Sequence, residues 1–253
     1  MTRLHIEEDI HNFVQYIDKT CIKETGHTKN VANFKQLISF CKNLESAYNP
    51  SNEVLKIEQL ERCYQKSLDS ITASEHYRQL FASETINRKC AFENLKPYAT
   101  KIINAFAVSG VSKQTLTEAK VINKKIQGAK LKIEDNSYLA SQQSYNRKIE
   151  HFSDLINLLA SNPIYNPNEE ELKVTTLQKK LTHLQTQNAI LTKSNTQYST
   201  ALNQRNQILY NDENGLVTIA KKVKLYIKSV FGASSEKYRQ LTSIEFKVRK
   251  TSP

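Results

Sequence analysis

The sequence predicts an all-α fold: one or more elongated antiparallel helical bundles, formed by two tandem repeats with long heptad-patterned helices. Three observations support this fold class. The 253 residues include only five Gly and five Pro, whereas a β-sandwich needs turn residues every 8–12 positions or so. Apolar residues recur at helical and heptad spacings. Finally, the chain matches itself at an offset of about 118 residues, which is typical of a duplicated unit.

The internal match extends over most of each copy. It pairs Phe34–Ile38 with Phe152–Ile156, Tyr48–Pro50 with Tyr165–Pro167, Leu55–Ile57 with Leu172–Val174, Leu60 with Leu177, Phe81 with Tyr198, Arg88 with Arg205, Val108–Gly110 with Val230–Gly232, and Ile122 with Ile244. We therefore predict an N-terminal helix within residues 1–29, a first helical repeat at 30–132 and a second at 133–253.

Each copy is predicted to contain four helices. The first helices, at about 30–47 and 146–161, end at the Tyr-Asn-Pro turns because a residue before Pro avoids the α region. Long second helices follow at about 51–94 and 168–211, opened by capping side chains of Ser51 or Asn52 and of Asn168.

The third helices are predicted at about 96–108 and 215–231, with Gly110 and Gly232 as left-handed C-caps. The fourth helices begin at Ser112 or Ser234, and that of the first copy runs to about residue 132. A further helix at about 5–23 precedes the first copy.

An apolar stripe runs along each long helix. It comprises Leu60, Tyr64, Ile71, Phe81 and Phe92 in the first copy, and Leu177, Leu181, Leu184, Leu191, Tyr198, Leu202 and Leu209 in the second. Heptad spacing predicts near-parallel, supercoiled helices. Arg88 and Arg205 fall on the same stripe, where an unpaired charge is costly. We interpret both as structural, either in a buried ion pair or reaching water at the bundle edge.

The net charge of +11 is concentrated in two regions. Residues 101–150 carry nine basic and four acidic side chains, and residues 201–253 carry ten and four. The candidate polyanion-binding residues are Lys120, Lys124 and Lys125 in the first copy and Lys221, Lys224 and Lys228 in the second. Helical geometry places the last three on one face, opposite the apolar residues Leu216, Ile219, Val223, Ile227 and Val230.

Two interpretations of these basic faces remain open. They bind nucleic acid or another anionic surface, or they are simply solvated. Neither cluster is interpreted as a basic stretch with interleaved stacking aromatics, and no motif of a known nucleic-acid module is present. Membrane contact is disfavoured because the bundle needs the apolar face of the same helix.

No catalytic, cofactor-binding or metal-binding motif is evident, so we expect no enzyme activity and infer no small-molecule substrate. The sequence has no HExxH, GxSxG, Walker or GxGxxG pattern. His5, Glu8, Asp9 and His11 lie at helical spacing but form no established metal motif. Cys21, Cys41, Cys63 and Cys90 are expected to be free thiols, and Cys41 matches Leu159, which predicts a core position.

Localisation is predicted to be cytoplasmic. The N-terminus turns acidic where a secretory signal would be apolar, and no apolar run approaches the ~18 residues of a membrane span.

Three strings in the second copy resemble a family of bacterial helical proteins without an established activity. They are Ser144–Phe152, Tyr165–Lys173 and Val223–Ser235. The resemblance implies a tandemly duplicated all-helical fold and carries over no site residues. The first copy departs from it, with Ser109–Ser112 in place of Phe231–Ser235.

Three functions are compatible with these features. The first is a non-enzymatic interaction or scaffold protein that binds a protein partner or self-associates. Between His183 and Leu209 only Lys193 and Arg205 are charged, and this polar face either receives a partner helix or is solvated. The second is polyanion binding through the basic faces. The third is a helical pore-forming component, for which Ile102–Val111 is the candidate apolar segment.

Overall fold

The structure, a computed structural model, describes residues 26–128 and 144–248. All regular structure in these ranges is helical, and no β-strand occurs there, which confirms the predicted all-α class. The α-helices are α1 (26–43), α2 (Ile57–Glu93), α3 (Leu95–Val108), α4 (Lys113–Gln127), α5 (Tyr145–Ala160), α6 (Val174–Tyr210), α7 (Leu216–Phe231) and α8 (Glu236–Thr242). Short 3-10 turns occupy Glu45–Ala47, Glu53–Leu55 and Glu170–Leu172.

The helices form two compact units that do not follow the order of the chain. Unit 1 takes its described residues from 26–77 and 198–248, and unit 2 consists of residues 78–197 apart from 129–143. The helices α2 and α6 therefore contribute residues to both units.

Unit 1 has its own hydrophobic core, formed by α1, α7, α8 and parts of α2 and α6. Its fully buried side chains include Phe34 and Leu37 of α1, Leu60 of α2 and Val223 of α7. Burial of apolar surface of this kind is the main favourable term in folding. The helix α7 also packs against α8 and the 3-10 turn Glu53–Leu55.

Unit 2 has a second, separate core. Phe106 of α3, Ala119 of α4, Phe152 of α5 and Leu177 of α6 are all fully buried in it. The helix α4 packs against both α3 and α5.

The long helices begin later than predicted, at Ile57 and Val174. Asn52 does cap a helical turn, but it is the 3-10 turn, where its side chain accepts a hydrogen bond from Val54 N. Lys56 and Lys173 then adopt extended conformations (ψ 145° and 141°), so no α-helix passes through either residue.

In each unit a tyrosine hydroxyl binds the corner before the long helix, which is the 3-10 turn Glu53–Leu55 in unit 1 and Glu170–Leu172 in unit 2. Tyr48 Oη donates to Leu55 O at 2.7 Å, and Tyr165 Oη donates to Leu172 O at 2.8 Å. Both tyrosines are buried, and burial raises the pKa of Tyr165 to about 12. Each bond supplies a hydrogen-bond donor to a carbonyl oxygen that lies outside the regular helix. Buried polar groups require such a partner.

Three of the predicted helix ends differ in detail. Gly110 and Gly232 have the predicted positive φ (85° and 88°), but ψ of 155° places Gly232 outside the left-handed helical region. The cap of α8 is Ser235 rather than Ser234. The helix α4 ends at Gln127, well before residue 132, because Gly128 adopts the left-handed conformation (φ 84°, ψ 22°) and terminates it.

Several predictions fall outside the described residues. These are the helix at about 5–23, the cluster of His5, Glu8, Asp9 and His11, the thiol of Cys21, and the proposed repeat boundary between 132 and 133.

Candidate polyanion-binding surface

The predicted lysines of the first copy lie on α4 of unit 2. Lys120 and Lys124 are exposed, whereas Lys125 is half-buried. The charge of Lys125 acts on His151 of α5, whose pKa is lowered chiefly by burial and further by this lysine. Two of the three predicted side chains on α4 are therefore free of the core and open to solvent.

On α7 the structure separates the three lysines that helical geometry placed together. Lys221 and Lys228 are exposed, but Lys224 is half-buried. Its ammonium group donates to Ile244 O and lies 5.6 Å from the ring centroid of Phe246. Burial lowers its pKa, and Glu245 partly opposes that shift. Lys224 thus fixes the segment after α8 instead of extending the exposed basic face.

The turn at Gly232 brings basic and aromatic side chains of α7 and α8 together. Lys237 Nζ lies 4.4 Å from the ring centroid of Phe231, and Lys228 Nζ lies 5.8 Å from that of Tyr238. Both distances are within the range of cation–π attraction. We call the set Lys221, Lys228, Phe231, Lys237, Tyr238 and Arg239 the basic–aromatic surface.

The charged side chains in and around this surface are almost all basic. Residues 216–242 carry six basic and one acidic side chain, a net charge of +5. Ion pairs within the described part of the chain lie elsewhere and involve no residue of α7 or α8. Within the described ranges, the basic side chains of α7 and α8 are therefore not held in ion pairs with carboxylates.

The sequence analysis missed the aromatic half of this surface. Phe231 and Tyr238 stand among the basic residues of the second cluster in the sequence, but their contacts with Lys237 and Lys228 form only across the turn between α7 and α8. The available signal was their position on either side of Gly232, which ends α7 with a positive φ.

The two stripe arginines differ in their surroundings. Arg205, in unit 1, is 5% exposed and donates from Nη2 to Asn206 Oδ1 at 3.1 Å. Arg88, in unit 2, is half-buried and its guanidinium carbon lies 3.9 Å from the ring centroid of Tyr145. Arg88 therefore stacks on the ring of Tyr145 and forms no ion pair within the described ranges.

The thiols give no sign of a shared site. Cys41, Cys63 and Cys90 are free, and they are buried, half-buried and exposed respectively. Burial raises the pKa of Cys41 to about 12, so its thiol is protonated at neutral pH and unreactive. No group of three or more potential metal-ligating side chains occurs within 26–128 and 144–248.

No helix in the described ranges is long and apolar enough to cross a bilayer. Comparisons with protein-family models, curated proteins and solved structures found no match to this chain. The resemblance seen in the sequence therefore stays a prediction, and the inferences about function rest on the geometry described above.

Proposed function

We propose that the protein is a non-enzymatic helical binding protein that holds single-stranded nucleic acid on the basic–aromatic surface. The observation that carries this proposal is the set of four exposed basic side chains on this surface, Lys221, Lys228, Lys237 and Arg239, none of which forms an ion pair in the described part of the chain. An unneutralised basic surface attracts phosphates and releases their counterions.

Aromatic side chains favour a nucleic acid over other polyanions. Phe231 and Tyr238 are half-buried and lie beside Lys237 and Lys228. Proteins that bind single strands combine a basic surface for the backbone with aromatic rings on which bases stack. A sulfated polysaccharide has no base to stack and would use the lysines alone.

The proposal is tested by binding of a fluorescent single-stranded oligonucleotide over a range of salt concentrations. The triple variant Lys221→Gln, Lys228→Gln and Lys237→Gln removes three exposed charges. We expect it to weaken binding about 10-fold or more at low salt, and to reduce the slope of log affinity against log salt by about two, since each lost phosphate contact contributes about 0.7 for single strands.

A matched triple variant on α4 tests whether binding depends on this surface or only on the net charge of the protein. Lys113, Lys120 and Lys124 are exposed in unit 2, and changing them to Gln removes the same charge. We expect that variant to lose less than 3-fold in affinity. Equal losses in the two triples would contradict a localised site, and wild-type protein that binds anionic vesicles but no oligonucleotide would overturn the choice of ligand.

Protein–protein interaction is a second candidate, supported by an apolar patch in unit 2. Val108 is 86% exposed and Ile164 is 52% exposed, and both line a cleft of about 340 Å³ with Ala105 and Pro167. Exposed apolar side chains grouped in this way are typical of interaction sites. Val108→Asp should abolish any self-association seen by sedimentation, and a wild-type monomer at every concentration would exclude self-association.

The pore-forming hypothesis gains no support. Its candidate segment, Ile102–Val111, belongs largely to α3, and Ile102, Ile103 and Phe106 are buried in the core of unit 2. Exposing them would remove a large part of that core.

We also infer that the chain is an internal duplication whose two copies exchange their second halves. The match pairs Phe34 with Phe152 and Leu55 with Leu172, yet unit 1 combines α1 of the first copy with α7 of the second. Unit 2 combines α5 of the second copy with α3 of the first. The repeated tyrosine hydrogen bonds, from Tyr48 and Tyr165, support this inference.

A further inference from the structure

Two cations share one aromatic ring in unit 2. The guanidinium carbon of Arg88, on α2, lies 3.9 Å from the ring centroid of Tyr145, and Lys148 Nζ, on α5, lies 5.5 Å from the same point. The two charges are therefore no farther apart than the sum of these distances. Phe92 contacts the ring edge-on at a centroid distance of 4.8 Å and helps to fix it.

A third cation, Lys96 at the start of α3, lies within electrostatic range of Lys148. Its ammonium group donates to Gln127 O at 2.9 Å, and Gln127 Nε2 donates back to Lys96 O at 2.8 Å. This exchange holds the lysine at the C-terminal end of α4. Burial lowers the pKa of Lys148 and the charge of Lys96 lowers it further, so the two ammonium groups repel each other.

These three charges form no ion pair within the described ranges. The ion pairs formed by residues 26–128 and 144–248 include none of Arg88, Lys96 and Lys148. Glu150, the nearest acid on α5, pairs with Arg147 at 2.8 Å. A like-charged cluster of partly buried side chains costs stability unless an anion joins it.

Arg88 also has an unused donor. Its Nη1 donates to Asn188 Oδ1 at 3.2 Å, and Asn188 Nδ2 in turn donates to Asn146 Oδ1 at 2.6 Å. The Nε–H group is buried and has no acceptor within the described part of the chain. Such a donor is normally satisfied in a folded protein, and an oxyanion against the guanidinium would supply the missing acceptor.

Unit 1 lacks this cluster at the matching positions. The internal match pairs Tyr145 with His27, Lys148 with Asn30 and Lys96 with Val217, so neither lysine of the cluster has a lysine at its matching position. Asn30 instead accepts from Lys247 N at 3.0 Å and donates to Lys247 O at 2.7 Å. The three-cation arrangement is therefore specific to unit 2 and is not required to build the shared core.

We propose that Arg88, Lys96 and Lys148 form a binding site for a single phosphate group, either free phosphate or a phosphomonoester. A dianion neutralises most of the threefold positive charge, and a planar guanidinium is well suited to tetrahedral oxyanions. The site begins at the N-terminal turn of α5, where the helix dipole adds positive potential. It is independent of the nucleic-acid surface of unit 1, because the two share no residue.

The test compares thermal unfolding in inorganic phosphate and in chloride at equal ionic strength. For the wild-type protein we expect phosphate at ten times its dissociation constant to raise Tm by about 3 °C. Lys148→Met should abolish this rise. In chloride the same variant should be at least as stable as the wild type, because it removes a repelled and partly desolvated charge while keeping an apolar stem. A merely structural lysine would show the opposite change in chloride.

Lys120→Met is the matched control, since it removes an exposed charge from the same unit and should keep the full phosphate response. An equal response in Lys148→Met and the wild type, or no response in the wild type, would overturn the site. If Lys148→Met does not fold, the Nε–H resonance of Arg88 in the wild type replaces it: a saturable shift with phosphate supports the site, and an unchanged resonance refutes it. Repeating the titration with a nucleoside 5′-monophosphate and its nucleoside identifies the source of the phosphate.

Discussion

Units 1 and 2 have similar cores but different polar surfaces. In both, a phenylalanine of the first helix is fully buried (Phe34 and Phe152), and a tyrosine hydroxyl binds a leucine carbonyl at the corner before a long helix. Charge is arranged differently. Unit 1 carries basic side chains without ion pairs on α7 and α8, whereas unit 2 places Arg88 and Lys148 over the ring of Tyr145, with Lys96 within electrostatic range of Lys148.

This contrast indicates where to seek function. Side chains that build both cores explain folding, and a feature present in both units needs no ligand to account for it. Features that occur in one unit only, such as the aromatic partners of Lys228 and Lys237 or the ring shared by Arg88 and Lys148, are not required by the common core. They are the better candidates for binding.

The largest expected effect tests whether the two cores are equally important. Phe34→Ala and Phe152→Ala each remove a fully buried ring, and each should lower the free energy of unfolding by about 3–5 kcal/mol. Urea denaturation followed by circular dichroism measures both. Similar losses with one transition indicate two cooperative, equivalent cores. A separate early transition in only one variant would show that the units differ in stability.

A smaller effect is expected at the matching tyrosines. Tyr48→Phe and Tyr165→Phe each delete the hydroxyl that donates to Leu55 O or Leu172 O and leave a carbonyl without that partner. We expect each to cost about 1–2 kcal/mol in the free energy of unfolding. A loss in one unit alone would contradict the equivalence of the two corners. Tyr77→Phe serves as a control, because Tyr77 lies at a partly exposed position of α2.

The smallest effect is expected in chemical labelling of cysteines, which reports local opening of unit 1 and of unit 2 separately. Cys41 is buried in unit 1 and its pKa is raised to about 12, whereas Cys90 is exposed in unit 2. In single-cysteine variants at pH 8, Cys90 should react rapidly with a thiol reagent and Cys41 only after opening. Phe34→Ala should accelerate labelling of Cys41 more than Phe152→Ala does. Equal acceleration would mean that the units open together.

Local sequence patterns predicted the helices well. The ends of α3 and α7 agree with the prediction to within one residue, because apolar spacing and a following glycine fix them locally. The starts of α2 and α6 were predicted about six residues too early. Asn52 has the side chain of an N-cap, but the turn that it caps continues as an α-helix only if Lys56 is helical. Lys56 is instead extended, next to the Leu55 carbonyl that Tyr48 binds.

The candidate sites were less predictable. Helical geometry placed Lys224 on the same face as Lys221 and Lys228, but a long side chain reaches a carbonyl of a segment 20 residues away. The phosphate site was not found at all, since Arg88, Lys96 and Lys148 lie on three helices and none belongs to a recognisable motif. Arg88 was singled out only because a charge on an apolar stripe needs an explanation.

The sequence by itself determined the all-helical class, the apolar faces of the helices and the uneven distribution of charge, because these depend on composition and on spacings within single helices. Only the tertiary structure decided which helices share a core and which charges lie together. The reason is physical. Contacts among α2, α3 and α5, or between α7 and α8, depend on chain reversals and long-range packing, and no periodicity within one helix encodes them.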